Sequence, residues 1–484
     1  MSTRALKILA VNLGLCAAAG NLVAQVVVTN VYSFQGNLNN DGGIPEAGLV
    51  QGTNGNFYGT CLTGGTYPYD GTVFVVSPRG VEAPIYTFLG PGADDGLGPE
   101  ESLVLGRDGN FYGTTPGGGV NSLDDGTIFR VNPVTGIETN LYSFGSYTND
   151  GITPRCALVL GNDGNFYGTT SGGGTNNDGT VFRITPGGVY TNIYSFGGTS
   201  ADGSEPFAGL VLGSDGNFYG TTALGGSNAN FTGIGTIFQI SPGGSETVLY
   251  SFGSYSPDAI DGYGPQTPLV QGSDGNFYGT TKYGGTNYLS DGTIFRISPD
   301  GNYTNLYTFN GYPTDGATPN ALVLGSDGNF YGTAEQGGTN YYGTIFRISP
   351  CGDYTNLYSF IGPANGYPDE GQTPGAPLLQ ASDGTFYGTT LYGGIAGGNV
   401  FHLTVPLSLP ANQISAIQIE GTNVLVTIPS VDGETYQLQD RTSLTAGVWI
   451  NVAGQVLSSG SLLTVTNFGG FSQPQQFYRF AITP

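Results

Sequence analysis

One short phrase recurs seven times along this chain, at intervals of about 55 residues. Each copy is a turn signal followed by Phe-Tyr-Gly-Thr, as in GNDGNFYGT, which begins at Gly161. The tyrosines of the seven copies are Tyr58, Tyr112, Tyr167, Tyr219, Tyr278, Tyr331 and Tyr387. A repeat this regular predicts one supersecondary unit stacked many times, with each unit burying its apolar faces against its neighbours.

The third copy of the repeat contains four candidate strands. They cover 157–160, 165–170, 179–184 and 189–196. The Asn-Asp-Gly turn before the second strand suits a tight hairpin, because Asp and Gly tolerate positive φ. Phe166 and Tyr167 point to opposite faces of that strand. Four antiparallel strands in about 50 residues are typical of one β-propeller blade.

The order of these strands along the chain predicts how a ring would close. A fourth-strand phrase, Val31-Tyr-Ser-Phe34, precedes the first complete repeat, and the seventh repeat ends after its third strand, at 398–401. We therefore expect 26–34 to complete the last blade beside Val400 and Phe401, which would remove an exposed sheet edge. The predicted fold class is all-β, a seven-bladed β-propeller with four antiparallel strands per blade, followed by a small β-sandwich.

The repeat covers only part of the 484 residues. We predict a signal peptide at 1–24, the propeller at 25–405, a linker at 406–410 and the β-sandwich at 411–484. The first segment places Arg4 and Lys7 before an apolar run, the arrangement of a secretory signal. The last segment holds about six short strands and is similar to fibronectin type III or immunoglobulin-like modules. We expect a protein that is secreted or displayed at the cell surface.

The full repeat, GSDGNFYGTT…GG…GTIFRISP…YTNLYSF, resembles the bacterial GloVer tandem repeat, which occurs in secreted proteins described by their choice of anchor. The resemblance covers roughly residues 26–405. It implies a repeat protein with surface display, and it transfers no catalytic residues to this chain.

Composition excludes some partners. Acidic residues outnumber basic ones by 35 to 12, and the formal net charge is −23. Such a surface repels phosphate backbones, so we expect no nucleic-acid partner. No stretch after the N-terminal segment is apolar enough to span a bilayer, so we expect no membrane span.

Few residues offer nucleophilic or metal-binding chemistry. Beyond the N-terminal segment, Cys61, Cys156 and Cys351 occupy different positions within the repeat, which indicates isolated thiols rather than disulfides or a metal cluster. The single histidine, His402, stands where another copy has Arg183, so we interpret it as a substitution in a blade strand. We therefore predict no catalytic and no cofactor-binding residues.

One set of acidic residues recurs in register, just before a glycine and a proline-containing turn. Its members are Asp41, Asp95, Asp150, Asp202, Asp261, Asp315 and Glu370. One interpretation is that each side chain caps its loop by accepting hydrogen bonds from nearby amides. The other is a ring of carboxylates at the channel mouth that binds a cation such as calcium.

Loop lengths indicate a working face. The connection from FYGT to GTIF varies from 14 residues after Gly220 to 9 after Gly388, whereas the hairpin turns vary little. In a propeller the variable connections emerge on one face, where binding residues concentrate. The ligand-binding candidates on these loops are Tyr67, Tyr69, Tyr283, Tyr288, Tyr341, Tyr342 and Tyr392. Their alternative role is packing within the loops.

These observations favour a non-enzymatic binding or scaffold protein that recognises an extracellular glycan or protein through this face. The single histidine and the lack of a singular polar cluster in the sequence support that interpretation. Two alternatives stay open. One is an extracellular polysaccharide-degrading propeller that uses two acidic residues. The other is a structural spacer at the cell surface.

Overall fold

The structure is a computed structural model. In the repeat region it describes 26–36, 41–65, 70–90, 94–120, 124–227, 234–253, 261–285, 291–313, 315–362, 371–394 and 397–405. In the C-terminal region it describes 416–420, 423–429, 435–441, 450–452, 456–457, 462–467 and 477–483. Over these ranges the regular structure is entirely β, and none of them contains a helix able to cross a membrane. The chain divides into two compact units, Val26–Thr404 and one that contains 405–484.

The first unit is built from seven antiparallel sheets, one per blade, each with four blade strands; the sheet of blade 6 includes a fifth strand from the loop before strand a. We name the strands of a blade a to d from the innermost outwards. Strand a is Val50–Gln51, Val104–Leu105, Val159–Leu160, Val211–Leu212, Val270–Gln271, Val323–Leu324 or Leu379–Gln380. Strand b is Phe57–Cys61, Phe111–Thr115, Phe166–Thr170, Phe218–Thr222, Phe277–Thr281, Phe330–Gly337 or Phe386–Thr390. The predicted all-β, seven-bladed propeller is confirmed.

The outer two strands complete each blade. Strand c is Thr72–Val76, Thr127–Val131, Thr180–Ile184, Thr236–Ile240, Thr293–Ile297, Thr344–Ile348 or Asn399–Thr404. Strand d is Glu82–Thr87, Glu138–Ser143, Tyr190–Ser195, Glu246–Ser251, Tyr303–Thr308 or Tyr354–Ser359 in blades 1 to 6. Each c–d pair shifts register at one point, as between Val181 and Phe182 in blade 3. Such a bulge increases the local twist of the sheet.

The ring closes as the strand order predicts. Val27–Ser33 supplies strand d of blade 7 and pairs antiparallel with strand c, Asn399–Thr404. Val27 lies opposite Thr404 and Ser33 lies opposite Asn399. The two ends of the propeller sequence therefore share one sheet, and strand c of the last blade has no free edge.

Short ladders join the loops of each blade, and the sequence did not predict them. In blades 1 to 4 they are Gly42–Gly43 with Thr63–Gly64, Gly96–Leu97 with Gly117–Gly118, Gly151–Ile152 with Gly172–Gly173, and Gly203–Ser204 with Leu224–Gly225. In blade 6, Gly316–Pro319 pairs with the extended strand b. Blades 5 and 7 have single bridges, Tyr263 with Tyr283 and Gln372 with Tyr392.

Contacts between blades repeat around the whole ring. The strand-b tyrosine of one blade lies against the strand-b phenylalanine of the next, as for Tyr167 and Phe218, whose ring centroids are 4.1 Å apart. The last pair, Tyr387 with Phe57 at 4.0 Å, joins blade 7 to blade 1. A threonine of strand b also donates across each junction, and Thr389 donates to the Ala47 carbonyl at 3.2 Å.

The second unit consists of two antiparallel sheets. One is ordered Ala416–Glu420, Asn423–Pro429, Leu462–Asn467, and in the other Thr435–Arg441 pairs with Ile450–Asn451, Val456–Leu457 and Phe477–Thr483. Their buried side chains form one cluster, Val424, Val426, Tyr436, Leu438 and Val465. A shared core between two sheets agrees with a sandwich, while the likeness to fibronectin or immunoglobulin modules stays a prediction. Trp449 and the predicted linker lie outside the described residues.

The glycine of FYGT is required by packing inside the blade, which gives a testable expectation. A Cβ on Gly168 would come within 2.6 Å of Phe182 Cζ, whereas a Cβ on Gly187 would meet nothing closer than 3.8 Å. Overpacking of this kind costs about 1–3 kcal/mol, so Gly168→Ala should lower the midpoint of thermal unfolding by several degrees. Gly187→Ala is the control. Equal midpoints for both variants in calorimetry would contradict this packing argument.

Candidate functional site

The two variable connections of a blade meet on one face. The loop before strand a and the loop after strand b are hydrogen-bonded to each other, as where Gly42 pairs with Gly64 in blade 1. We call this side of the ring the loop face. The opposite side, the turn face, carries the a–b hairpins, such as Gly161 to Asn165, closed by a 2.8 Å hydrogen bond.

The recurring aspartates belong to the loop face, where all described members except the half-buried Asp261 are buried. Asp150 accepts hydrogen bonds from Tyr142 Oη at 2.7 Å, from the Ser146 amide at 3.2 Å and from the Gly151 amide at 2.9 Å. Each of the other described members also accepts from a strand-d tyrosine; they are Asp41, Asp95, Asp202, Asp261 and Asp315. This geometry supports the loop-capping interpretation.

The calcium interpretation finds no support in the same contacts. The carboxylate oxygens of the described aspartates accept hydrogen bonds from donors within the protein. The described residues contain no group of three His, Cys, Asp or Glu side chains able to hold a metal ion. Glu370, the seventh member, lies outside the described residues. Calcium binding therefore stays an untested prediction.

A second set of acids, which the sequence reasoning missed, lies between blades. Glu82, Glu138 and Glu246 begin strand d where blades 3, 5 and 6 have tyrosines. In blade 3 that tyrosine, Tyr190, stacks on Tyr142 of blade 2 at 4.0 Å. Burial and a neighbouring aspartate raise the pKa of Glu82 and Glu246 to about 7 and that of Glu138 to about 8. These carboxyls belong to the blade junctions.

The single histidine and the cysteines are placed as structural residues. His402 lies opposite Tyr387 in strand c of blade 7, and the two rings stack at 4.7 Å. Burial lowers the pKa of His402. Cys61 and Cys156 are buried free thiols, and Cys351 is an exposed one. These positions agree with the interpretation of the three cysteines as isolated thiols and of His402 as a substitution in a blade strand.

The residues that do not repeat converge on the ring axis. A cavity of about 170 Å³ opens on the loop face and is lined from blades 1, 2, 5, 6 and 7. Its charged lining residues are Glu46, Glu100, Glu101, Lys282 and Glu335. Because five blades of a ring can share one cavity only near its axis, this is the mouth of the central channel. We call it the channel-mouth site.

Two ion pairs organise the channel-mouth site. Arg155 Nη1 lies 3.8 Å from Glu100 Oε2, and Lys282 Nζ lies 3.6 Å from Glu335 Oε1. Burial raises the pKa of Glu46, Glu100 and Glu335. At Glu101, burial and then the charges of Glu100 and Glu46 raise the pKa to about 8. Four carboxyl groups thus share two cations, and the raised pKa of Glu101 favours its protonated form at neutral pH.

This site corrects the expectation that the chain has no singular polar cluster. The sequence signal is the residue after the proline that precedes strand a, which varies as Glu46, Glu100, Arg155, Phe207, Gln266, Asn320 and Gly375. A comparison of this position among the seven repeats would have revealed the polar cluster. The expectation failed because residues from distant repeats meet only after the ring closes.

The predicted tyrosines have separate places on the loop face. Tyr67, Tyr69 and Tyr288 lie outside the described residues. Tyr341 is 61% exposed and stacks on Tyr312 at 3.7 Å, whereas Tyr342 packs over Gly362, where an added Cβ would clash with its ring. Tyr283 and Tyr392 occupy equivalent bridged positions in blades 5 and 7 and are 38% and 50% exposed.

The geometry defines a seven-bladed propeller whose repeated residues build the ring and whose unrepeated residues meet on the loop face. A family model described as the Gloeobacter/Verrucomicrobia repeat matches residues 22–234 and 212–416. The chain belongs to this repeat family. No curated protein matches the sequence.

Several solved structures are similar to this chain at low identity. A Bacteroides uniformis protein described as a 6-phosphogluconolactonase is 14% identical, with a TM-score of 0.40 over 82% of this chain and 95% of its own. The Niastella koreensis GH74 enzyme is 14% identical, with a TM-score of 0.47 over 83% and 59%. Porphyromonas gingivalis dipeptidyl peptidase 4 is 10% identical, with a TM-score of 0.38 over 79% and 57%. Similarity at this level carries no functional argument.

The junction glutamates predict a pH-dependent stability. Because the folded-state pKa of Glu246 is about 7 and its ordinary value is 4.5, the stabilisation from its neutral form is complete below pH 4.5 and is lost as the pH rises through about 7. Glu246→Gln keeps the neutral form at every pH. The variant should raise the unfolding midpoint at pH 8 and leave it nearly unchanged at pH 4.5. Asp300→Asn removes an exposed charge and serves as the control; a similar gain at both pH values for Glu246→Gln would refute the assignment.

Proposed function

We propose that this protein is a secreted or surface-displayed binding protein that recognises an extracellular glycan or protein through the loop face. One observation carries the proposal: charged and polar side chains that are not shared among the repeats converge at the channel mouth. A purely structural spacer needs the Tyr–Phe contacts between blades but gives no reason for this convergence. Clefts with a few convergent polar groups and perturbed pKa values are the usual place for a ligand.

The chemistry of the site supports a polar ligand. Glu100, Lys282 and Glu335 are partly buried and line the cavity, and the exposed Arg155 lies 3.8 Å from Glu100, so the two ion pairs offer charged groups of both signs in and beside the cavity. A cavity of about 170 Å³ lies below the usual volume of about 300–1,000 Å³ for small-ligand pockets. We infer that it takes one terminal group of a larger ligand that extends over the loop face.

Binding should therefore depend on Arg155 and not on a matched arginine of the turn face. Arg107 donates to backbone carbonyls at a hairpin turn of the next blade, 3.1 Å from the Asn162 oxygen. On a glycan array and in pull-downs from culture medium, Arg155→Ala should weaken the binding found for the wild type by about tenfold, which corresponds to about 1.4 kcal/mol. Arg107→Ala should leave binding unchanged. An empty array and an empty pull-down with the wild type would favour the spacer instead.

A second candidate function is hydrolysis of a polysaccharide, and one observation favours it. Glu101 is the single charged residue at its place in the ring: the other carbonyls that accept the strand-b threonine at this junction belong to Ala47, Cys156, Ala208, Thr267, Asn320 and Ala376. With a pKa of about 8, its neutral carboxyl could act as a general acid beside the carboxylate of Glu46.

The two functions are separated by a product assay. If the channel-mouth site hydrolyses glycosidic bonds, purified protein should release reducing ends from plant, algal or bacterial polysaccharides, with a rate that falls as the pH rises through about 8. Glu101→Gln should then abolish release, whereas the junction variant Glu82→Gln should retain it. Binding without any release would leave the non-enzymatic function as the stronger one.

A further inference from the structure

Beside the channel mouth, a groove runs between blades 4 and 5 on the loop face. It has a volume of about 290 Å³. Three aromatic side chains line it, Phe207, Tyr263 and Tyr283, and the Tyr263 and Tyr283 rings stack at 5.4 Å. Leu224 and the buried residues Ala223 and Ile234 complete its apolar surface. The groove therefore offers extended apolar faces that remain open to a ligand.

Besides the hydroxyls of its two tyrosines, two polar side chains line the groove, the carboxylate of Glu205 and the amide of Gln266. The backbone at its edge is already paired, because Tyr263 and Tyr283 exchange hydrogen bonds of 2.9 and 3.2 Å between their amides and carbonyls. An extended peptide that binds by adding a strand needs unpaired backbone amides and carbonyls, and at Tyr263 and Tyr283 these groups are already paired with each other. The groove thus presents side chains to its ligand.

The lining is specific to this junction. At the position of Phe207 the preceding blades carry Glu46, Glu100 and Arg155. At the position of Tyr283, blades 2 and 3 carry the glycines of their two-residue ladders. The repeat therefore does not require these aromatic residues, and an exposed apolar surface that the fold does not need marks an interaction site.

We propose that this groove seats one pyranose ring of a glycan, with the apolar face of the sugar on Phe207 and Tyr283 and its hydroxyl groups on Glu205 and Gln266. A sugar ring combines an apolar face with hydroxyls at its rim, which matches aromatic walls that carry one carboxylate and one amide. This inference rests on the proposed function and selects a glycan over a protein as the ligand.

The groove and the channel-mouth site share one lining residue. Gln266 lines both cavities, so a ligand in one is within reach of the other. A volume of about 290 Å³ is near the lower end of small-ligand pockets, which suits one ring of a chain rather than a large rigid molecule. The structure thus assigns an oligosaccharide with one unit in the groove and the next directed towards the channel mouth.

Blade 7 offers a matched control for the test. Tyr392 occupies the bridged position equivalent to Tyr283 and is at least as exposed, but it does not line the groove. The wild type and its variants would be titrated calorimetrically with cellohexaose, xylohexaose, maltohexaose and chitohexaose. For a hexasaccharide that binds, Tyr283→Ala should weaken affinity about fivefold to tenfold, Tyr283→Phe should retain it, and Tyr392→Ala should leave it unchanged.

Each outcome bears on a different part of the proposal. If Phe207→Ala and Glu205→Gln also weaken the affinity for the hexasaccharide, and if their thermal unfolding midpoints equal that of the wild type, the groove is supported as the binding site of the sugar ring. Binding that is unchanged in Tyr283→Ala and Phe207→Ala would overturn the groove while leaving the loop face as a binding surface. Equal losses in Tyr283→Ala and Tyr392→Ala would also overturn it. Absence of binding to all four probes and to a glycan array, together with capture of a protein partner in the pull-down, would overturn the glycan while sparing the broader function.

Discussion

Contact between the strand-b tyrosine of one blade and the strand-b phenylalanine of the next is the interaction on which the ring depends. It occurs seven times, with centroid distances of 3.9–4.3 Å, and the Tyr387–Phe57 pair makes the series continuous. Aromatic pairs contribute about 0.5–1.5 kcal/mol each beyond area burial, so the seven together are comparable to the net stability of a typical domain. A phrase that supplies both partners must therefore recur in every blade.

The strands were predictable because the same pattern of strand and turn residues occurs seven times in the sequence. The strands expected at 165–170 and 179–184 are Phe166–Thr170 and Thr180–Ile184, and the N-terminal segment pairs with strand c of blade 7 as expected. Hairpin chemistry fixes these elements locally: Gly164 has a φ of 82° at the turn. The two-residue ladders of the loop face were missed because pairs such as Gly42–Gly43 carry no hydrophobic period.

The site was far less predictable, for a physical reason. Glu46, Lys282 and Glu335 are separated by hundreds of positions or by a whole blade, and only ring closure brings them to one axis. The recurring aspartates were candidate metal ligands because they repeat in register. Their repetition instead reflects the hydrogen bonds that they accept from strand-d tyrosines. In this propeller, residues common to all blades maintain the fold, whereas the charged residues at the channel mouth stand at positions where the copies differ.

Differences between copies are tolerated at positions that leave the blade junction intact. The first residue of strand d can be Tyr190, stacked on Tyr142, or Glu138, near Asp95, because burial keeps that glutamate neutral over much of the pH range. The residue before the strand-a core is freer still, since its backbone carbonyl makes the inter-blade hydrogen bond whatever its side chain is, as with Glu101 and the Thr60 hydroxyl. The scaffold contact at the ring axis thus belongs to the backbone, and the side chain there is free to differ from blade to blade.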